Sequence, residues 1–314
     1  MTLSIHDRKP PWLKVRPPGG ERYTWIREQR VGLGLATVCE EARCPNIGEC
    51  WSEGTATFMV MGPICTRGCR FCAVTTRKSG TPLDPLEPQK LGETIKAMDL
   101  DYIVVTSVDR DDLPDEGAGH FAACVKAVNR ISPKTRVEIL HPDFSGRMDL
   151  VDVVVQSGAD VLAHNIETVR RLTPQVRDRR AGYDQSLAVL QRVKETDPSA
   201  VSKSSIMVGL GETEAEVVEC MRDLREVGVD LLTLGQYLRP SAKHIAVEEY
   251  VSPDQFERYG DLGRDLGFLY VASGPLVRSS YRAGEVFVRS LLDDRPGFGK
   301  PAALGSSSRL KVVE

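Results

Sequence analysis

From residue 55 onward, short apolar runs alternate with amphipathic stretches. The runs are TATFMVM (55–61), YIVVTSV (102–108), RVEIL (136–140), VLAHNIE (161–167), KSSIMVG (203–209) and LLTLGQYL (231–238). Their length and richness in β-branched residues predict six strands. Between and after them, apolar residues recur at helical spacing over roughly 91–98, 119–130, 147–156, 184–195, 213–228 and 253–266. The clearest helix is TEAEVVECMRDLREVG, where Thr213 and Glu216 form a capping box and Val217, Cys220, Met221, Leu224 and Val227 form the buried stripe. Strands alternating with helices predict an α/β fold of parallel βα units. Runs such as IVV suit strands buried on both faces. Six units can build an open doubly wound sheet or a partial barrel, and in both the ligands gather at the carboxyl ends of the strands.

Two segments fall outside this alternation. Residues 1–53 form an N-terminal extension with little strand pattern, 54–270 hold the βα units, and 271–314 form a C-terminal segment. The composition of the last ~15 residues predicts a mobile tail.

Composition narrows the class. A chain of 314 residues, 41% hydrophobic and 27% charged, is ordinary for a globular enzyme with a substantial core. A net charge of −3 offers no global field for nucleic acid. No apolar run reaches ~18 residues, and the N-terminus has no apolar core of a secretory signal. These features predict a cytoplasmic protein that engages neither membrane nor nucleic acid. Eight cysteines are too few to staple a fold of this size, and in a reducing compartment clustered cysteines more often bind metal. Six lie between residues 39 and 72, whereas Cys124 and Cys220 sit at helical spacing among apolar residues and read as core.

The stretch CTRGCRFC places Cys65, Cys69 and Cys72 just beyond the first predicted strand, where an active site belongs. Three thiolates can hold three irons of a cubic 4Fe-4S cluster and leave the fourth iron to a small molecule. A structural zinc site would recruit a fourth protein ligand. Phe71 offers an aromatic face beside the open corner. The second set, Cys39, Cys44 and Cys50, has gaps of four and five residues, which fit the usual zinc pairs poorly.

The pattern CTRGCRFC, with an aromatic before its last cysteine, resembles the radical S-adenosylmethionine superfamily. More of the chain resembles the lipoyl synthase family within it. The matching stretches are PPWLKVR (10–16), CEEARCPNIGEC followed by Trp51, TSVDRDDLPDEGAGHF (106–121), PDFSGRMD (142–149), HNIETV (164–169), RLTPQVRDRRA (171–181), MVGLGET (207–213), LTLGQYLRPS (232–241) and ASGPLVRSSY (272–281). Together they cover about residues 10 to 285. Two positions depart from the family pattern: His141 stands where an aliphatic residue or threonine is expected, and Ala163 where asparagine is expected.

The resemblance implies a partial (β/α)6 TIM-like barrel whose extensions close over its open end. It implies two 4Fe-4S clusters and S-adenosylmethionine. Cys65, Cys69 and Cys72 would hold the first cluster. Cys39, Cys44 and Cys50 would hold the second, with Ser280 of RSSY as an oxygen ligand, a weak partner for iron suited to a cluster that is dismantled to give sulfur. The implied reaction inserts two sulfur atoms at C6 and C8 of an octanoyl group amide-linked to a carrier-domain lysine. The carriers would be E2 subunits of 2-oxoacid dehydrogenases and the glycine cleavage H protein. A flavodoxin or ferredoxin would supply electrons, and an iron-sulfur carrier protein would be a further partner. Cofactor contacts are expected at Phe71, Thr106, Ser107, Asn165, Glu167, Met207 and Gly209. Read without the resemblance, Ser280 is a turn or cap serine, Thr106 and Ser107 satisfy a turn, Asn165 and Glu167 are a hydrogen-bonded barrel pair, and Gly209 serves a tight loop. Five arginines over 167–180 read mainly as a solvated face, with a subset available to an acidic carrier or a carboxylate. Two rivals stand beside this reading: a radical enzyme that inserts sulfur into a free small molecule, and a zinc-stabilised binding protein.

Overall fold

The computed structural model describes residues 9–15, 19, 24, 36–37, 46–52 and 57–280. Cys39, Cys44, Tyr281, Arg282 and the C-terminal tail lie outside the described residues.

Among the described residues the main sheet has eight strands: β1 (Ala36–Thr37), β2 (Thr57–Val60), β5 (Tyr102–Ser107), β6 (Arg136–Leu140), β7 (Val161–Ala163), β8 (Val201–Val208), β9 (Leu231–Gln236) and β10 (Tyr270–Gly274), in that spatial order. β1 is antiparallel to β2; every other pairing is parallel. A small parallel pair, β3 (Ile64–Cys65) with β4 (Thr75–Thr76), stands apart. The helices are α1 (Ile47–Ser52), α2 (Glu87–Met98), α3 (Ala118–Ile131), α4 (Met148–Val155), α5 (Thr173–Val176), α6 (Tyr183–Thr196), α7 (Glu214–Glu226) and α8 (Pro253–Asp265). All six strands and six helices expected from periodicity are present. β10 is a seventh parallel strand, so the partial barrel runs one unit further than the apolar runs predict.

The period of two sorts the strand residues by face. Ile103 and Val105 of β5 join the helix-side core, whereas Tyr102 and Val104 point inward with Val161, Val201 and Leu231. One layer above this apolar floor, Glu138 of β6 meets Lys203 of β8. The Lys203 Nζ donates to both Glu138 oxygens, at 2.7 and 2.9 Å, and the Tyr102 hydroxyl donates to Oε2 at 2.7 Å. Higher still, the inward positions become the wall of an open cavity. α7 carries the expected capping box: Glu216 N–H donates to Thr213 Oγ1 at 3.3 Å, and Thr213 N–H donates to Glu216 Oε2 at 2.8 Å.

Candidate active site

The chain leaves β2 through Met61 and Gly62, both at positive φ. Glu87 pins this turn by accepting the Met61 N–H at 2.9 Å. The β3–β4 pair, which holds Cys65 at the end of β3, then draws residues 66–74 into a loop that carries Cys69 and Cys72 over the carboxyl ends of the strands.

This loop is held from several elements. Thr66 N–H donates to Asp109 O at 3.0 Å, Arg70 N–H to Val176 O at 2.9 Å, and Ile245 N–H to Arg70 O at 3.0 Å. The His244 Nε2 lies 3.0 Å from the Cys72 carbonyl. Two backbone N–H groups aim at sulfur: Arg67 at Cys65 Sγ (3.4 Å) and Asp178 at Cys69 Sγ (3.3 Å). Such donors are already in place to stabilise sulfur as thiolate. Arg67 is buried within the loop and faces four carboxylates: Asp143 at 2.6 Å, Asp111 at 2.7 Å, Asp109 at 3.5 Å and Glu116 at 4.0 Å. It locks the loop to residues that follow β5 and β6.

Electrostatics distinguish these thiols from surface cysteines. Burial, with the nearby Asp109 carboxylate, pushes Cys65 up to about 12, burial pushes Cys69 up to about 12, and Cys72 is raised by burial too. The bare protein therefore keeps them protonated, and a cation at the sulfurs is what would release the protons. Asp109 is raised to about 6, chiefly by burial against the opposing pull of Arg67.

Beneath the loop lies a cavity of about 590 Å³, within the range of small-molecule sites. Cys65, Cys69, Cys72, Phe71, Thr106, Ser107, Asn165, Glu167, Met207 and Ser280 all line it. The structure thus brings ten of the sequence-predicted site residues to one chamber. Cys39 and Cys44 lie outside the described residues, and the other two do not line the chamber. Cys50 sits buried on α1, in the core beside β2, and is not among the lining residues. Gly209 has a backbone role: at φ +97 it passes so close to Gln236 that a Cβ would stand 2.2 Å from Nε2, and its N–H donates to Glu212 Oε1 at 2.5 Å.

The polar lining fits a polar ligand. Three atoms at the ends of strands neighbouring in the sheet are buried without a hydrogen-bond partner: Ser107 Oγ in the last residue of β5, His141 Nε2 after β6 and Asn165 Oδ1 after β7. Buried polar atoms without partners are rare and call for an explanation such as a bound group. Thr106, by contrast, is satisfied by donating to Leu140 O at 2.8 Å. Asn165 Nδ2 donates to Glu167 Oε1 at 3.2 Å, as a barrel pair would, yet Glu167 holds a left-handed φ of +70, raised above its usual pKa by burial. Such strain in a non-glycine residue concentrates at functional sites. Three thiols, those of Cys65, Cys69 and Cys72, line this chamber together, and three thiolates are the donor types that a cubic cluster with one open corner takes.

Sequence reasoning missed the supports of this site. Arg67, Asp109, His244 and Tyr237 (whose hydroxyl donates to Ile245 O at 2.8 Å) fix the loop or the wall, yet no local pattern marks them. Asp109 alone carried a signal, following Thr106 and Ser107 beyond a strand end. His141 is more than a packing change: its ring stacks on Phe144 and His164, and Nδ1 lies 2.9 Å from Pro142 O. His164 is fully engaged, by His141 O at 3.0 Å and Ser186 Oγ at 2.9 Å. Most of the arginine run is paired internally. Arg170 meets Asp184 and Asp223, Arg171 meets Glu216, Arg180 meets Asp178 and Asp111, and Arg177 is buried against Ser186.

Comparison with known proteins agrees with this geometry. Residues 59–224 match the model of the radical SAM superfamily, and residues 3–44 match that of the N-terminal domain of lipoyl synthase. The lipoyl synthase of Anaeromyxobacter sp. (strain Fw109-5) is 61% identical over 92% of this chain and 98% of its own length. The mitochondrial lipoyl synthase of Aedes aegypti is 57% identical over 92% of this chain and 75% of its own. The crystal structure of methylornithine synthase shares the fold, with a TM-score of 0.51 at 13% identity over 82% of this chain and 84% of that one.

Proposed function

This chain belongs to the lipoyl synthase family of radical S-adenosylmethionine enzymes, and from that membership we propose how its residues divide the work. The protein is a sulfurtransferase that converts two C–H bonds of a carrier-bound octanoyl group, at C6 and C8, into C–SH bonds. When bound, two 4Fe-4S clusters and S-adenosylmethionine supply the electrons, the hydrogen-abstracting radical and the sulfur.

In our reading Cys65, Cys69 and Cys72 hold the first cluster, and Cys39, Cys44, Cys50 and Ser280 hold the second. Ser107, Asn165 and Glu167 offer the polar contacts that orient S-adenosylmethionine. Met59, Val104, Leu140, Met207, Tyr237 and Val277 form the apolar part of the chamber wall. They receive the alkyl chain and exclude water, so that position decides which hydrogen is removed. The carriers are lipoyl domains, among them E2 subunits and the glycine cleavage H protein. A flavodoxin or ferredoxin delivers electrons, and an iron-sulfur carrier replenishes the second cluster. We place the protein in the cytoplasm, where reducing conditions keep the cysteines available; no helix among the described residues is long and apolar enough to cross a membrane.

The observation that carries this assignment is that Ser280 and the three cysteines of the 65–72 loop face one chamber. The test is anaerobic turnover with an octanoyl-lysine peptide of a carrier domain, followed by mass. The peptide should gain two sulfur atoms while free octanoate is left unchanged. Ser280→Ala should keep forming 5′-deoxyadenosine yet add little sulfur. Equal sulfur addition by this variant would remove Ser280 from the second site.

A further inference from the structure

β1 and β2 stand at one end of the sheet and β10 at the other, so the two ends of the described chain meet only through contacts outside the strand ladder. One such contact is a single side chain. Asn46, immediately before α1, is 3% exposed, and its Nδ2 donates to the Leu276 carbonyl at 2.6 Å across 230 positions of sequence. The Asn46 carbonyl in turn accepts the N–H of Cys50 at 2.9 Å. One residue therefore ties the cysteine-bearing helix to the segment that leads to Ser280.

That segment is fixed from its other side by close approach to β9. The Val277 carbonyl lies over Gly235, where a Cβ would stand 2.0 Å from its oxygen. Arg278 donates to the Val277 carbonyl at 2.7 Å, and Val277 N–H donates to Gly274 O at 3.1 Å. Residues 276–278 thus lie between β9 on one side and the Asn46 contact on the other.

We propose that Asn46 is a positioning residue that sets the Cys50 helix against the Ser280 segment, so that the two halves of the second cluster site meet. The proposal rests on the reading of Cys39, Cys44, Cys50 and Ser280 as ligands of that cluster. Ligands drawn from distant parts of a chain must be held to within about 0.5 Å by the groups behind them. Losing the Asn46 donor leaves a carbonyl unpaired and removes this tie between the halves.

Asn46→Asp separates this role from helix capping. Aspartate caps a helix as well as asparagine does, but it sets a carboxylate against a carbonyl oxygen. The full chain, reconstituted anaerobically, should hold about eight irons as two cubes. Asn46→Asp and Asn46→Ala should both fall toward about four irons, lose the second-cluster Mössbauer signal, and retain the spectral shift that S-adenosylmethionine causes at the first. Gly235→Ala, which pushes the Val277 carbonyl from the opposite side, should do the same. Asn46→Asp holding as many irons as the parent would overturn the proposal, as would loss of both cubes together. A parent chain with about four irons, or Cys50→Ala with about eight, would sink the ligand assignment itself and the tie with it.

Discussion

At the scale of single residues, the site is governed by buried charge and by imidazoles kept neutral. Burial holds His141 down to about 4, well below an ordinary histidine. The unfolded chain takes up a proton near pH 6.5 that the folded chain refuses until about pH 4, so stability is fully present above 6.5 and falls as pH drops through that window. For His141 alone the loss is on the order of 3 kcal/mol. Thermal melts of the iron-free protein between pH 7 and 4 should show this decline, and His141→Gln should make it shallower, with His164, which burial holds down to about 3, supplying part of what remains. Arg67 makes the opposite case. Replacing it by methionine strands the four carboxylates around it, of which Asp143 is almost wholly enclosed. We expect a loss of about 3–5 kcal/mol in urea unfolding and poorer iron uptake by the 65–72 loop. An unchanged midpoint would mean that those carboxylates find other partners. Neither residue advertised its role in sequence. Arg67 meets acids 42 to 76 positions away, a pairing that no local spacing encodes, and His141 reads only as a departure from an aliphatic position.

At the scale of elements, alternation and helical spacing were legible because burial imposes them directly. The capping box at Thr213 and Glu216 formed as its residues required. β10 escaped notice because YVASG is short and ends in glycine, so its own pattern signals no further strand. β1 is only two residues long, below what any periodicity can reveal. The loop over 65–72 was legible as a candidate site from its cysteines, but the β3–β4 pair that shapes it was not, since TT and IC carry no pattern of their own. The polar layer inside the barrel is the element-scale feature open to test. Lys203→Met leaves Glu138 buried and unpaired and should cost about 3–5 kcal/mol. Adding Glu138→Leu should recover most of it, as paired apolar replacement of a buried ion pair often does. A double variant no better than the single one would show that Tyr102 and Glu138 sustain the layer without Lys203.

At the scale of the whole molecule, the chamber joins residues from every main-sheet strand from β2 to β9 with the segment after β10, so ligands that bind there should stabilise the entire sheet. S-adenosylmethionine at about 100 times its Kd should add about 2.7 kcal/mol to the cluster-loaded protein and raise its melting temperature by several degrees. A melting temperature that does not move with ligand would place the binding elsewhere. The tie between Asn46 and Leu276 has a consequence for how the protein is made. On the ribosome Asn46 emerges some 230 residues ahead of its partner, an interval of roughly 10–50 s at ordinary elongation rates. Throughout that interval the Cys50 helix exists without the carbonyl to which Asn46 donates. On the ligand assignment proposed above, completion of the second site waits for residue 276, and a nascent polypeptide stalled before it should be unable to retain a second cubane.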